Sequence, residues 1–252
     1  MNVNNLFYCE GITRNYDEAS VVQDINLELP AGGFISLLGP SGVGKTTLFN
    51  VLSGLDMPDA GKVFLNGEDI TGMSGRVSYM LQKDLLLEYR TVIDNVILPL
   101  LLHGKKKKEA REYASDFFPR FGLSGYEHKY PAELSGGMRQ RAALLRTCMF
   151  SNSVILLDEP FSALDAITRR AMQTWYAGIA SEMKVSTLFI THDVEEALVL
   201  SDTVYIMNGK PGQITHKIDV SPSRPRDADF SVSKEFAGQK RFILQAIIGA
   251  AA

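Results

Sequence analysis

The chain has 252 residues, 45% of them hydrophobic and 22% charged, with a formal net charge of −3. That length suits one large domain, or a domain carrying a subdomain, with a substantial core. The near-neutral balance excludes the global basic field of a nucleic-acid binder, and the longest apolar run, Val96 to Leu102, contains Pro99 and is too short to cross a bilayer.

Any membrane spans the protein works with must therefore come from another chain. The opening Met1–Asn5 is polar and uncharged, without a signal-peptide pattern. Cys9 and Cys148 lie far apart in apolar contexts and read as buried thiols of a reducing compartment.

Leu6–Ile12 and Val22–Leu29 have strand-like composition, separated by the polar stretch Thr13–Ser20. Tyr16 lies in that stretch, where its ring either stacks on a nucleotide base, worth about 1–3 kcal/mol, or packs on its own hairpin. Phe34–Leu38 reads as a buried strand, and Leu48, Val51, Leu52 and Leu55 recur at the spacing of a buried helix face. Between them stands Gly39-Pro40-Ser41-Gly42-Val43-Gly44-Lys45-Thr46-Thr47. Strand, glycine loop and helix in this order form the context of a phosphate-binding P-loop. Glycines let backbone N–H groups curl toward phosphate oxygens, and the helix adds the positive end of its dipole. Lys45 would reach the β- and γ-phosphates, and the Thr46 hydroxyl would ligate Mg²⁺. An ordinary glycine turn capping a helix is the plain alternative.

Asp56–Gly61 is a turn cluster, Lys62–Asn66 a short strand, and Val77–Leu81 an apolar run with Gln82 at its end. Residues 84–150 change character. Thr91–Leu102 reads as helix up to Pro99. Lys105–Phe121 reads as an amphipathic helix with Tyr113, Ala114, Phe117, Phe118 and Phe121 on one stripe. The run Lys105–Lys108 fits a solvated helix start better than a membrane surface, because no Arg-rich face accompanies it. The block reads as a helical insertion in an α/β core. At its end Leu134-Ser135-Gly136-Gly137-Met138 opens a helix, with Ser135 as N-cap and two glycines leaving N–H groups open. That is a second anion-binding terminus far from the first; were it the only motif, a glycine-rich cap with no ligand would be the preferred reading.

Ser153–Leu157 then supplies a buried strand ending in Asp158-Glu159-Pro160. Asp158, at the end of a strand beside a P-loop, can hold Mg²⁺. Glu159 is placed to orient an attacking water and take its proton. Ser162-Ala163-Leu164-Asp165 starts a helix running to about Lys184. Thr187–Thr191 is the next strand, with His192 at its carboxyl end, where open α/β sheets bind ligands. His103, His128 and His216 have no such placement and read as surface residues. Thr203–Met207 is a further strand, and the alternation throughout argues a predominantly parallel, doubly covered sheet. Ser221–Arg226 reads as an extended proline linker, and Phe236–Ile248 as one last helix.

Together these residues resemble the nucleotide-binding subunit of ATP-binding cassette (ABC) transporters, over residues 1 to about 220. Gly39–Thr47 is similar to the Walker A loop, Gln82 to the Q-loop glutamine, and Leu134–Met138 to the LSGGQ signature with Met138 in place of Gln. Val154–Asp158 resembles Walker B, Glu159 the catalytic glutamate, Ser162–Asp165 the D-loop, His192 the switch histidine and Tyr16 the adenine-stacking aromatic. The resemblance implies a RecA-like P-loop NTPase core, an N-terminal antiparallel β subdomain, and an inserted helical subdomain at 84–150. A short extension occupies 221–252. It also implies ATP held by Tyr16, the Gly39–Thr47 loop and, from a second copy, Ser135, Gly136 and Gly137. Thr46, Asp158 and Gln82 would serve Mg²⁺, and Glu159, His192 and Gln82 would serve hydrolysis.

The implied assembly is a homodimer on integral-membrane permease subunits at the cytoplasmic face. An extracytoplasmic solute-binding protein acts indirectly, and no nucleic acid is bound. A finer resemblance, to importers of the nitrate, sulfonate, taurine and pyrimidine-precursor group, rests on Leu157–Asp165, Thr191–Ala197 and Arg224–Asp227. Glu88-Tyr89-Arg90 departs from it, standing where many such importers have Pro-Trp. The alternatives are an export or lipoprotein-extraction cassette, a soluble ABC protein acting on nucleic acid or ribosomes, and a P-loop GTPase or small-molecule kinase. The last leaves Leu134–Arg141 and His192 without work, and the guanine-specific Asn-Lys-x-Asp is absent.

Overall fold

Alternation of buried and exposed side chains along the first thirty residues builds a long hairpin. β1 (Asn5–Tyr16) pairs antiparallel with β2 (Ala19–Pro30), the buried set including Phe7, Cys9, Ile12, Val22, Ile25, Leu27 and Leu29. This computed structural model describes residues 5–17, 19–150, 153–162, 164–224, 226 and 228–249. Ala163, Pro225 and Asp227, named above within motifs, lie outside the described residues, as do Met1–Asn4 and 250–252.

β4 (Ala60–Leu65) pairs with β1, and β5 (Glu68–Asp69) with β4, giving an antiparallel sheet of order β2-β1-β4-β5. The second sheet has the order β10-β9-β3-β8-β7-β6. Its strands are β3 (Phe34–Leu38), β6 (Ser78–Met80), β7 (Val154–Asp158), β8 (Ser186–Thr191), β9 (Thr203–Asn208) and β10 (Gln213–Asp219). All its pairings are parallel except β9 with β10. β3, β7 and β8 are buried at every position, which is why they read as continuous apolar runs.

The helices are α1 (Lys45–Leu52), α2 (Val92–Val96), α3 (Leu98–Leu102), α4 (Lys107–Ser115), α5 (Gly136–Cys148), α6 (Ala166–Glu182), α7 (Val194–Leu200) and α8 (Lys234–Gly249). α2 to α5 lie between β6 and β7 and share a core with one face of the six-stranded sheet. α1 and the antiparallel sheet cover the other face. α7 and α8 bury a third cluster with Leu38, Val204 and Ile206.

Five expectations need correction. Thr13–Ser20 is mostly strand, so Tyr16 ends β1 rather than sitting in a loop; Arg14 and Asn15 are half-buried, held by Asp56 and Asp59. Pro99 does not end helical structure, because it occupies the first turn of α3, where its missing N–H has no partner to lose. Residues 105–121 are not one helix. α4 stops at Ser115, and the turns around Pro119 carry Phe118 and Phe121 into the core, while Tyr113 is exposed. The tail is no free linker either. Arg224 donates to Asp202 from Nε at 2.8 Å and Nη2 at 2.7 Å, and Arg226 donates to the carbonyls of Val199 and Ser201. His216 is half-buried, edge-on to Phe242 of α8, and is not a plain surface residue.

Candidate nucleotide site

The carboxyl ends of the parallel strands set the site. β3 delivers Gly39–Gly44, β7 ends at Asp158 with Glu159 after it, β8 runs into His192, and Gln82 follows β6. Ligands of open α/β sheets bind at such an edge. Two glycines are required for the loop to close. A Cβ on Gly39 would sit 2.3 Å from the Met207 carbonyl oxygen, and Gly44 has a left-handed backbone (φ 105°) packed on Val21 and Val22.

Lys45 Nζ donates to the carbonyls of Gly39 and Pro40 at 2.8 and 2.9 Å. Burial lowers its pKa, opposed by the charges of Glu159 and Asp158. The ammonium thus lies in the mouth of a loop of N–H groups, facing two carboxylates. Thr46 Oγ1 donates to Asp158 Oδ2 at 3.0 Å, and the Tyr79 hydroxyl donates to the same oxygen at 3.5 Å. Burial raises the Asp158 pKa, the Thr46 hydrogen bond opposes this, and the charge of Glu159 adds to it.

A hydroxyl and a carboxylate oxygen in contact are hard donors suited to Mg²⁺, which takes one or two protein oxygens and completes its octahedron with phosphate and water. Among the described residues no three or more His, Cys, Asp or Glu side chains gather as an all-protein metal site. The donor set therefore fits an ion that arrives with a phosphorylated ligand.

Glu159 stands beside this pair with both carboxylate oxygens engaged. Gln82 Nε2 donates to Oε2 at 3.2 Å, and His192 Nδ1 lies 3.1 Å from Oε1. Pro40, Ser41, Gly42, Val43 and Thr47 complete the loop, with Pro40, Ser41 and Gly42 exposed. The structure thus brings Lys45, Thr46, Gln82, Asp158, Glu159 and His192 into one cluster.

It does not bring in the remaining candidates. Ser135 caps α5 by accepting from the Met138 N–H at 3.3 Å, and Ser135 and Gly136 face open space. Tyr16 donates to Asp56 Oδ2 at 2.6 Å, with the Arg14 guanidinium 4.6 Å from its ring centre. Its ring packs on its own hairpin and remains partly open to water. Among the described residues, no hydrogen bond joins Tyr16 or Ser135–Gly137 to the Lys45 cluster. Reading the sequence missed Tyr79, whose hydroxyl reaches Asp158, and Gln140, buried and donating to the Pro160 carbonyl. Gln140 carried a signal, a polar residue on the mostly apolar buried face of its helix.

Comparison with known proteins shows the family and the fold. The ABC transporter family model matches residues 22–162. The formylaminopyrimidine import ATP-binding protein ThiZ of Halalkalibacterium halodurans is 39% identical over 234 residues, 92% of this chain and 92% of its own. The aliphatic sulfonates import ATP-binding protein SsuB 1 of Rhodococcus jostii is 43% identical over 228 residues, 89% of each chain. Among solved structures, the ATP-binding cassette MJ0796, a dimer with ADP and Pi, superposes with a TM-score of 0.74 at 24% identity, over 86% of this chain and 100% of that one. CbiO1 from Clostridium perfringens gives 0.77 at 22% identity, over 86% and 89%.

Proposed function

The chain belongs to the ABC transporter family, and from that premise we propose that it is the ATP-hydrolysing subunit of a solute importer, closing as a pair over two Mg-ATP. The observation that carries the reading is the Glu159 carboxylate, gripped by Gln82 and His192 next to the Thr46–Asp158 pair.

ATP is the substrate. Its phosphates enter the N–H cradle of Gly39–Thr47, and Lys45 exchanges its two carbonyl partners for phosphate oxygens. Thr46 and Asp158, with Gln82 beside them, would hold Mg²⁺, which neutralises the charge of the β- and γ-phosphates. Glu159 accepts the proton of the attacking water, while Gln82 and His192 keep its carboxylate aimed. The adenine stacks on Tyr16 once its ring is uncovered. The exposed Ser135–Gly137 terminus explains why one chain carries two anion-binding ends that do not meet: each closes over the γ-phosphate held by the other copy. Hydrolysis removes that bridging phosphate and releases the pair.

A groove of about 370 Å³ between the helical block and the sheet is walled by Leu55, Tyr79, Leu85, Leu98, Leu102 and Phe150. It lies beside Gln82 and is the seat for a short cytoplasmic helix of the permease. No helix among the described residues is long and apolar enough to cross a membrane, so attachment to the cytoplasmic face runs through the permease. A solute-binding protein outside acts on that permease. The relatives named for sulfonate and formylaminopyrimidine import support a small solute of that class.

In the test, Glu159→Gln retains ATP binding and loses about 10²–10⁴-fold in turnover, the usual contribution of a general base. With Mg-ATP it accumulates as a dimer by light scattering. A variant that hydrolyses at the wild-type rate overturns the assignment. Lys45→Ala loses nucleotide affinity, and undiminished binding removes the P-loop reading.

A further inference from the structure

Glu159 and Leu85, in the two loops that carry Glu159 and Gln82, both have left-handed backbones with φ of 45°. Residues with a Cβ adopt this conformation unwillingly, and it persists where the surroundings impose it. Glu159 is doubly disfavoured, because the Pro160 that follows biases it toward extended backbone. Its turn is held from several sides. The Glu159 N–H donates to the Ile190 carbonyl at 3.1 Å. Ser162 donates to the Glu159 carbonyl from its N–H at 3.2 Å and its hydroxyl at 2.9 Å. The amide of Gln140, 8% exposed, donates to the Pro160 carbonyl.

Gln140 comes from α5, the helix capped by Ser135. The same helix grips the other loop. Arg146 donates to the carbonyls of Leu85 at 2.8 Å and Asp84 at 2.5 Å, and Arg139 lies 3.5 Å from the Asp84 carboxylate. One helix thus holds both catalytic loops and, at its N-terminus, offers Ser135 to solvent. Ser135 and Gln140 are about 7.5 Å apart along a rigid rod.

We propose that Gln140 is a positioning residue for Glu159, and that α5 thereby links the occupancy of its Ser135 terminus to the aim of the catalytic carboxylate in its own chain. The inference rests on the reading of Glu159 as general base. With the donor removed, the Pro160 carbonyl is buried without its partner, and the turn relaxes toward the extended backbone that proline favours. The carboxylate then leaves the reach of Gln82 and His192. Gln140 is buried and its amide is engaged by the Pro160 carbonyl, so ATP binding is spared. When a second copy seats its nucleotide on Ser135, the pull on α5 is delivered to the Pro160 carbonyl in the opposite site.

Gln140→Met preserves side-chain length and removes the donor. In the full chain its kcat falls at least about tenfold while KM for ATP stays within about twofold, as expected when a reacting group is displaced by a fraction of an ångström. In a Glu159→Gln background the same substitution leaves ATP-driven dimerisation unchanged, because the group it positions is already disabled. Wild-type kcat in Gln140→Met overturns the proposal. So does a parallel loss of ATP binding and of Glu159→Gln dimerisation, which marks a packing role. Should the methionine variant not fold, Gln140→Asn, which keeps an amide too short to reach, replaces it with the same two outcomes. If Glu159→Gln itself turns over normally, the function falls first and separately.

Discussion

Asp158, proposed above to hold Mg²⁺, carries a burial cost in the free protein. Burial raises its pKa, so it begins to take up a proton above the usual aspartate value of about 3.9. A carboxyl raised in the folded state is a cost at neutral pH that protonation relieves. Asp158→Asn should therefore raise the melting temperature of the nucleotide-free protein, by about 2–4 °C for each 1 kcal/mol gained, and abolish the Mg²⁺ dependence of ATP affinity. In the wild type, that Mg²⁺ dependence should fade on acidification sooner than an exposed aspartate would allow, read by ATP titrations with and without Mg²⁺ at descending pH. Gly39→Ala tests the loop. Its Cβ meets backbone at Met207, so the loop must shift and ATP affinity should fall without any phosphate donor being removed. Lys45, Thr46, Asp158 and Glu159 were legible because their spacing to strand ends is local. Tyr79 was not, because its link to Asp158 spans 79 positions in the chain.

The elements whose ends were hardest to read are α4 and the tail. α4 stops at Ser115, yet Phe118 and Phe121 are fully buried from the turn that follows it. Phe118→Ala should cost about 3–5 kcal/mol, checked by denaturant unfolding. The tail is likewise part of the fold. Asp202 accepts from the Phe34 N–H at 2.8 Å and from Arg224, tying the tail to the foot of the strand that leads into the Gly39 loop. Burial pushes the Asp202 pKa up, but the Arg224 guanidinium and the Phe34 N–H outweigh it, and the carboxyl sits below its ordinary value. A depressed carboxylate stabilises fully above its unfolded pKa, about 3.9, and loses that contribution as pH falls through the folded value. Arg224→Ala should lower the melting temperature at pH 7, and the gap to wild type should shrink below about pH 4. Proline and arginine alone suggested a linker here, because nothing local announces Asp202 as their partner.

For the whole molecule, the proposed closure pairs two copies. Ser135 and Gly136 are exposed in one chain, while the Lys45 cluster lies at the edge of the sheet. Ser135→Arg should abolish ATP-driven dimerisation while each monomer still binds ATP through Lys45. Unchanged dimerisation by light scattering would count against closure across two chains.

The amino-acid order alone determined what depends on short-range backbone geometry: the glycine loop between strand and helix, the capped terminus at Ser135, the acidic strand end at Asp158-Glu159, and hence the family. Tertiary structure alone decided what depends on distant partners. Gln82 and His192 meet on Glu159 across 77 and 33 positions. Gln140 reaches the Pro160 carbonyl across 20 positions. Such contacts leave no periodic trace, because a hydrogen bond between loops depends on where the sheet and the helical block place them, not on the residues that flank either one.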